Sequence, residues 1–126
     1  MTDYQKMDPE VKALWVEALR SGNFKQGRNL LRSMDDSYCC LGVLCELAHQ
    51  AGVIPAPEPS TKAGGDPIYY QYQDRTGFPP DDVKEWAGLS RNVSGDINPE
   101  IGELTRMNDA KRATFGEIAN WIEREL

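Results

Sequence analysis

The stretch Tyr38-Cys39-Cys40-Leu41-Gly42-Val43-Leu44-Cys45-Glu46-Leu47-Ala48-His49 is too apolar for an exposed element. Leu41, Val43, Leu44, Leu47, Ala48 and Ala51 leave no continuous polar face, which predicts a helix covered on all sides, and Gly52 ends it. Such a helix must be the centre of the fold, with the other elements packed around it.

Upstream, Asp8-Pro9-Glu10 combines an N-cap acceptor, a proline at the first helical position and an acid in the first turn. Val11, Leu14, Trp15, Ala18 and Leu19 follow at the spacing of one helical face, and Ser21-Gly22 stops the chain, so a helix is predicted over Pro9 to Arg20. Phe24 to Met34 has no helical stripe, and Asp35-Asp36-Ser37 is turn chemistry; a short hairpin of Asn29 to Ser33 with Ser37 to Cys39 is expected.

Downstream, Pro55 to Pro67 is dense in proline and glycine and reads as a surface loop without regular structure. Ile68-Tyr69-Tyr70-Gln71-Tyr72-Gln73 reads as a strand with aromatic residues on both faces. Pro79-Pro80-Asp81-Asp82 opens a short helix through about Ala87, closed by Gly88, and Ser90 to Pro99 is again turn chemistry. Ile101 to Met107 fits either a strand or a helical turn, and Asn108-Asp109 ends it. Thr114 with Glu117 forms a capping box before Ile118, Ala119, Ile122 and Leu126, the face of a final helix.

These elements add up to an α+β fold. About four helices surround a central apolar helix, and a small antiparallel sheet comes from the residues near Asn29–Cys39 and Ile68–Gln73. At 126 residues the chain suits one domain spanning residues 1–126, with the Pro/Gly loop at about 55–67 on its surface. A composition 40% hydrophobic and 27% charged is that of a soluble globular protein. No apolar run approaches the ~20 residues that span a bilayer, and Met1 to Lys6 lacks the pattern of a secretory signal; the expected place is the cytoplasm, away from membranes. Three clustered cysteines are an odd number and fit reduced thiols. Twenty acidic against fourteen basic residues give a formal charge of −6, which opposes nonspecific binding to nucleic acid; solubility accounts for the acidity.

Cys45 and His49 share a helical face at i and i+4 and, with Cys39 or Cys40, have the chemistry of zinc ligands. The chain has no Cys-x-x-Cys pair and no second cluster, so no metal or other cofactor is expected. A Cys–His nucleophile is a further reading, opposed by the position of Cys45 within an apolar helix, where an inert core thiol belongs. His49 near the helix end is suited to the helix dipole. Phosphate loops, dinucleotide fingerprints and serine elbows are absent from the chain, and Asp81-Asp82 is a helix-start charge pair; no catalytic residue is assigned.

The candidate recognition surface is Tyr69, Tyr70, Tyr72 and Arg75, with Arg91, Asn92, Arg106, Asn108 and Asp109 from other irregular regions completing a pocket. Tyrosine faces stack on bases or peptide groups, and arginine forks onto phosphate or carboxylate. The alternative is that alternate tyrosines pack into the core.

Taken together, Val11-Lys12-Ala13-Leu14-Trp15, Ala18-Leu19-Arg20-Ser21-Gly22, Phe24-Lys25-Gln26-Gly27, Tyr38 to Cys45, Glu85-Trp86-Ala87-Gly88-Leu89, Asn108-Asp109 and Phe115-Gly116-Glu117-Ile118-Ala119 form a pattern spanning most of the chain. It resembles a group of small uncharacterised proteins encoded by tailed phages and prophages. That resemblance implies a short accessory protein that disables host defence components or sequesters their nucleotide signals. The leading expectation is a non-catalytic inhibitor of a host protein or protein complex, for example an anti-CRISPR. The alternatives are a sponge for a nucleotide-like small molecule, an enzyme or metal protein built on Cys39, Cys40, Cys45 and His49, and a structural or regulatory phage component.

Overall fold

The computed structural model describes residues 7–61, 67–89 and 99–126. Five helices lie among them: α1 (Pro9–Ser21), α2 (Cys40–Gln50), α3 (Asp81–Ala87), α4 (Pro99–Asp109) and α5 (Phe115–Glu125). Two short sheets complete an α+β fold. One pairs β1 (Lys25–Gln26) with β2 (Ser37–Tyr38); the other pairs β3 (Glu58–Thr61) with β4 (Pro67–Gln71).

The apolar run does form the central helix. Cys40 to Cys45 and Ala48 are buried, and α1, α3 and α4 all pack against α2, while α5 covers α1 and α4. The start of α2 is pinned from two sides. The indole Nε1 of Trp15 on α1 donates to the Cys40 carbonyl at 3.0 Å, and the Cys40 amide donates to Asn108 Oδ1 at 3.3 Å. Gly42 lies against the carbonyl of Leu31 so closely that any side chain there would overlap it.

The caps act as the sequence expects. Asp8 Oδ1 accepts from the amides of Glu10 and Val11, and Gly22 ends α1 at φ 79°. Thr114 and Glu117 form the reciprocal capping box of α5. The buried stripe of α1 is Val11, Trp15, Val16 and Leu19, so Leu14 falls on its flank and is 49% exposed. The ambiguous Ile101 to Met107 segment is helical within α4.

Of the expectations about strands, one is met in short form and one is corrected. The hairpin of Asn29–Ser33 with Ser37–Cys39 forms over a short length: Ser33 N donates to Ser37 O, Cys39 N donates to the Leu30 carbonyl, and Arg32 and Tyr38 make an antiparallel bridge between them. Ser37 and Tyr38 also pair in parallel with Lys25 and Gln26 on the other side, while Asn29 N and Leu31 N donate outside the hairpin, to Asp109 and to the Thr76 carbonyl. The correction concerns Pro55–Pro67, whose residues Glu58–Thr61 form the edge strand β3. Pro59 is opposite Tyr70, and Tyr70 N donates to the Arg32 carbonyl on its other side, so no donor is required of the proline. β4 stops at Gln71. Tyr72 and Arg75 then exchange backbone hydrogen bonds around Gln73 (φ 47°) and Asp74 (φ 67°), a turn with both central residues left-handed.

Candidate functional site

The predicted surface residues separate into two places. On the β4 side, Tyr69 and Tyr70 are half-buried, but Tyr72 points inward and has no exposed area. Its hydroxyl donates to Glu46 Oε1 at 2.9 Å, and burial followed by the Glu46 charge holds the phenol well above its usual range. Arg75 is exposed on the turn. The residue that Tyr70 meets is Arg32, whose guanidinium lies 4.4 Å from the Tyr70 ring centre and 5.2 Å from that of Tyr38.

Arg32 is itself neutralised. Its Nη2 is 2.7 Å from Asp36 Oδ1, and its Nη1 is 3.8 Å from Glu46 Oε1. Burial opposes its charge, but hydrogen bonds with Asp36 and Tyr72 outweigh burial and raise its pKa further. Beside it, Asp35 accepts from Ser33 and Ser37 hydroxyls and pairs with Lys25 at 3.0 Å, which holds its carboxyl far below the ordinary range. This face therefore carries stacked tyrosines and a compensated arginine.

The second place is the C-terminal end of α4. Asn108 is wholly buried: Oδ1 accepts from Gln26 Nε2 at 2.9 Å and from the Cys40 amide, while Nδ2 donates to the Gly27 carbonyl at 2.9 Å and to Asp109 Oδ1 at 2.8 Å. Asp109 Oδ1 also accepts from Asn29 N at 2.9 Å. Both side chains are thereby committed to joining α4, the Gly27–Asn29 loop and the start of α2. Arg106 pairs with Glu103 at 3.3 Å. Arg91 and Asn92 lie outside the described residues.

Among the hollows on the described surface, a groove of about 690 Å³ runs along α1 beside Glu123, and a smaller one of about 180 Å³ lies between Pro55, Glu58, Gln71 and Asp74. No predicted site residue lines either of them.

The cysteines have the surroundings of core side chains. Cys39, Cys40 and Cys45 are free and buried; burial pushes the Cys39 thiol up to about 11 and raises those of Cys40 and Cys45 well above normal. His49 is half-buried, with Nδ1 3.4 Å from the Ile54 carbonyl. No group of three or more His, Cys, Asp or Glu among the described residues could hold a metal ion.

A family model described as a domain of unknown function, DUF8296, matches residues 7–126. The chain belongs to that family. No curated protein and no solved structure matches it. In this DUF8296 chain, no helix among the described residues is long and apolar enough to cross a membrane.

Sequence reasoning missed Arg32, Glu46 and Gln26. Glu46 carried a signal, a lone acid within the apolar run Leu41–Ala48, where a buried carboxylate needs a partner. Arg32 and Gln26 carried none, since their partners are supplied by segments distant in sequence.

Proposed function

We propose that this protein is a non-catalytic phage accessory protein that binds and inhibits a host protein, an anti-defence inhibitor. The phage likeness supplies the context. The observation that supports the reading is that the thiols, Glu46 and Asn108 are committed to the fold: the three thiols are buried and held protonated, Glu46 is bound by Tyr72 and faced by Arg32, and Asn108 is enclosed by four hydrogen bonds. What remains outward is half-buried tyrosine and exposed charge, the chemistry of a protein contact.

A sponge for a nucleotide-derived signal needs tyrosine faces and arginines converging in a hollow. Tyr72 is instead turned into the core, Asn108 and Asp109 belong to a different cluster, and the guanidinium at Tyr70 is already neutralised by carboxylates. The test is native mass spectrometry of the tagged chain recovered from phage-infected host cells. A stoichiometric host protein whose activity falls on binding is the expected result. An added mass of a few hundred daltons that leaves on denaturation would replace the inhibitor with the sponge.

A further inference from the structure

The end of the molecule around Asp109 holds positive charge that the fold does not use. Residues 26–29 are joined to 108–113 by hydrogen bonds from Gln26 Nε2 to Asn108 Oδ1 and the Ala113 carbonyl, from Asn108 Nδ2 to the Gly27 carbonyl, and from Asn29 N to Asp109. Arg28 lies between two anchored residues of one segment, and Arg112 lies between two anchored residues of the other. Both are exposed, and neither takes part in an ion pair among the described residues.

The surrounding charges leave that excess standing. Glu103 is shared between Arg106 and Lys111, at 3.3 and 3.7 Å; Asp109 is occupied by Asn29 N and Asn108; Glu117 is turned onto Thr114 N. Among the described residues of these segments, four cations (Arg28, Arg106, Lys111, Arg112) thus stand against three carboxylates (Glu103, Asp109, Glu117), in a chain whose formal charge is −6. Arg112 carries a second sign. Its φ is 56°, a left-handed conformation that glycine adopts freely and arginine does not, and its side chain makes no hydrogen bond or ion pair among the described residues that would offset the strain.

We infer that Arg28 and Arg112 form a docking face for an acidic segment of a protein partner, their guanidinium forks taking Asp or Glu carboxylates. The inference rests on the reading of the chain as a binder of a host protein and names the contact. A nucleic-acid backbone is the poorer fit, because it needs a longer row of cations and meets the negative field of the whole chain.

The test is a titration of the isotope-labelled full chain with a short poly-glutamate peptide at low salt, followed by amide chemical shifts. Shifts centred on residues 26–29 and 109–113 are expected. Arg28→Gln and Arg112→Gly should each weaken binding by about two- to fivefold, the range of one exposed ion pair, and Arg112→Gly should raise the melting temperature because glycine relaxes the turn. Shifts elsewhere, no shifts, or unchanged affinity in both variants would overturn the assignment. So would a lower melting temperature in Arg112→Gly, or stronger binding of a single-stranded oligonucleotide at the same face. Host-protein capture undiminished in both variants would remove this face while leaving the binder reading. Poly-glutamate binding here without any host partner would do the reverse.

Discussion

Tyr72 reaches across the core from the end of β4 and donates its hydroxyl to Oε1 of Glu46 on α2 at 2.9 Å, tying the strand pair to the central helix through a phenol with no exposed area. A hydrogen bond to a carboxylate in such a place contributes more than a surface one, because the phenol has no access to water and the carboxylate little. Tyr72→Phe keeps the packing and removes only that bond, so its loss should cost about 1.5–3 kcal/mol, read from urea unfolding with unchanged slope. A change below about 0.5 kcal/mol, the usual range of surface substitutions, would mean that Arg32 at 3.8 Å and Gln50 Nε2 at 3.2 Å satisfy the carboxylate without the phenol.

Gly42 and Gly102 offer a contrast in sign. A methyl at Gly42 would overlap the Leu31 carbonyl and stand 2.6 Å from its carbon, contact with backbone that has no room to retreat. Gly42→Ala should therefore destabilise by about 3 kcal/mol or more, the upper end for overpacking. Gly102 lies in α4 with nothing within 4 Å of the added methyl, so Gly102→Ala should stabilise by up to about 1 kcal/mol through helix propensity. Thermal melts of the two variants should move in opposite directions.

Asn108 serves four partners from within the core. Asn108→Ala leaves the Cys40 amide and the Gly27 carbonyl buried without it, and each such group costs about 1–3 kcal/mol, so a loss of about 3 kcal/mol or more is expected. Asn108→Asp should rescue little, since it replaces two donors with an acceptor facing the Gly27 carbonyl and Asp109. Chemical denaturation of both variants checks the prediction; a mild Asn108→Asp would show that the donor side of the amide is dispensable.

The thiols set the alkaline limit. A group whose folded pKa lies above its unfolded value adds stability that is complete below the unfolded value and is lost as pH rises through the folded one. For Cys39 that window runs from about 9.0 to about 11. Melting temperature should fall across it, and Cys39→Ser should flatten part of the fall. At pH 8 a thiol reagent should be unreactive with the folded chain and label Cys39, Cys40 and Cys45 only after denaturant is added. Fast labelling of the native protein would contradict their burial.

The elements with local signals were legible in the sequence. α1 follows from Asp8-Pro9 and Gly22, α5 from Thr114 and Glu117, and α2 from an apolar run broken only by Glu46, because caps and periodicity act within a few residues. The strand at Glu58–Thr61 was hidden because Pro59 is a poor strand residue anywhere except an edge, and edge status is decided by what lies alongside. The same holds for the site. Tyr70 was found and its arginine was not: Arg75 is near in sequence, but the ring meets Arg32, brought there by the backbone bond from Tyr70 N to the Arg32 carbonyl.

By itself the sequence determined an α+β chain built on a buried central helix, with its helix ends and acidic charge, since each depends on residues in contact along the chain. Tertiary structure alone decided that Tyr72 faces Glu46, that Asn108 is an internal joint between α4 and α2 rather than a surface ligand, and that the segments carrying Arg28 and Arg112 are joined while neither arginine forms an ion pair among the described residues. Those outcomes depend on which distant segments meet. Burial and pairing of a polar group are properties of the assembled neighbourhood, so no local pattern of residues encodes them.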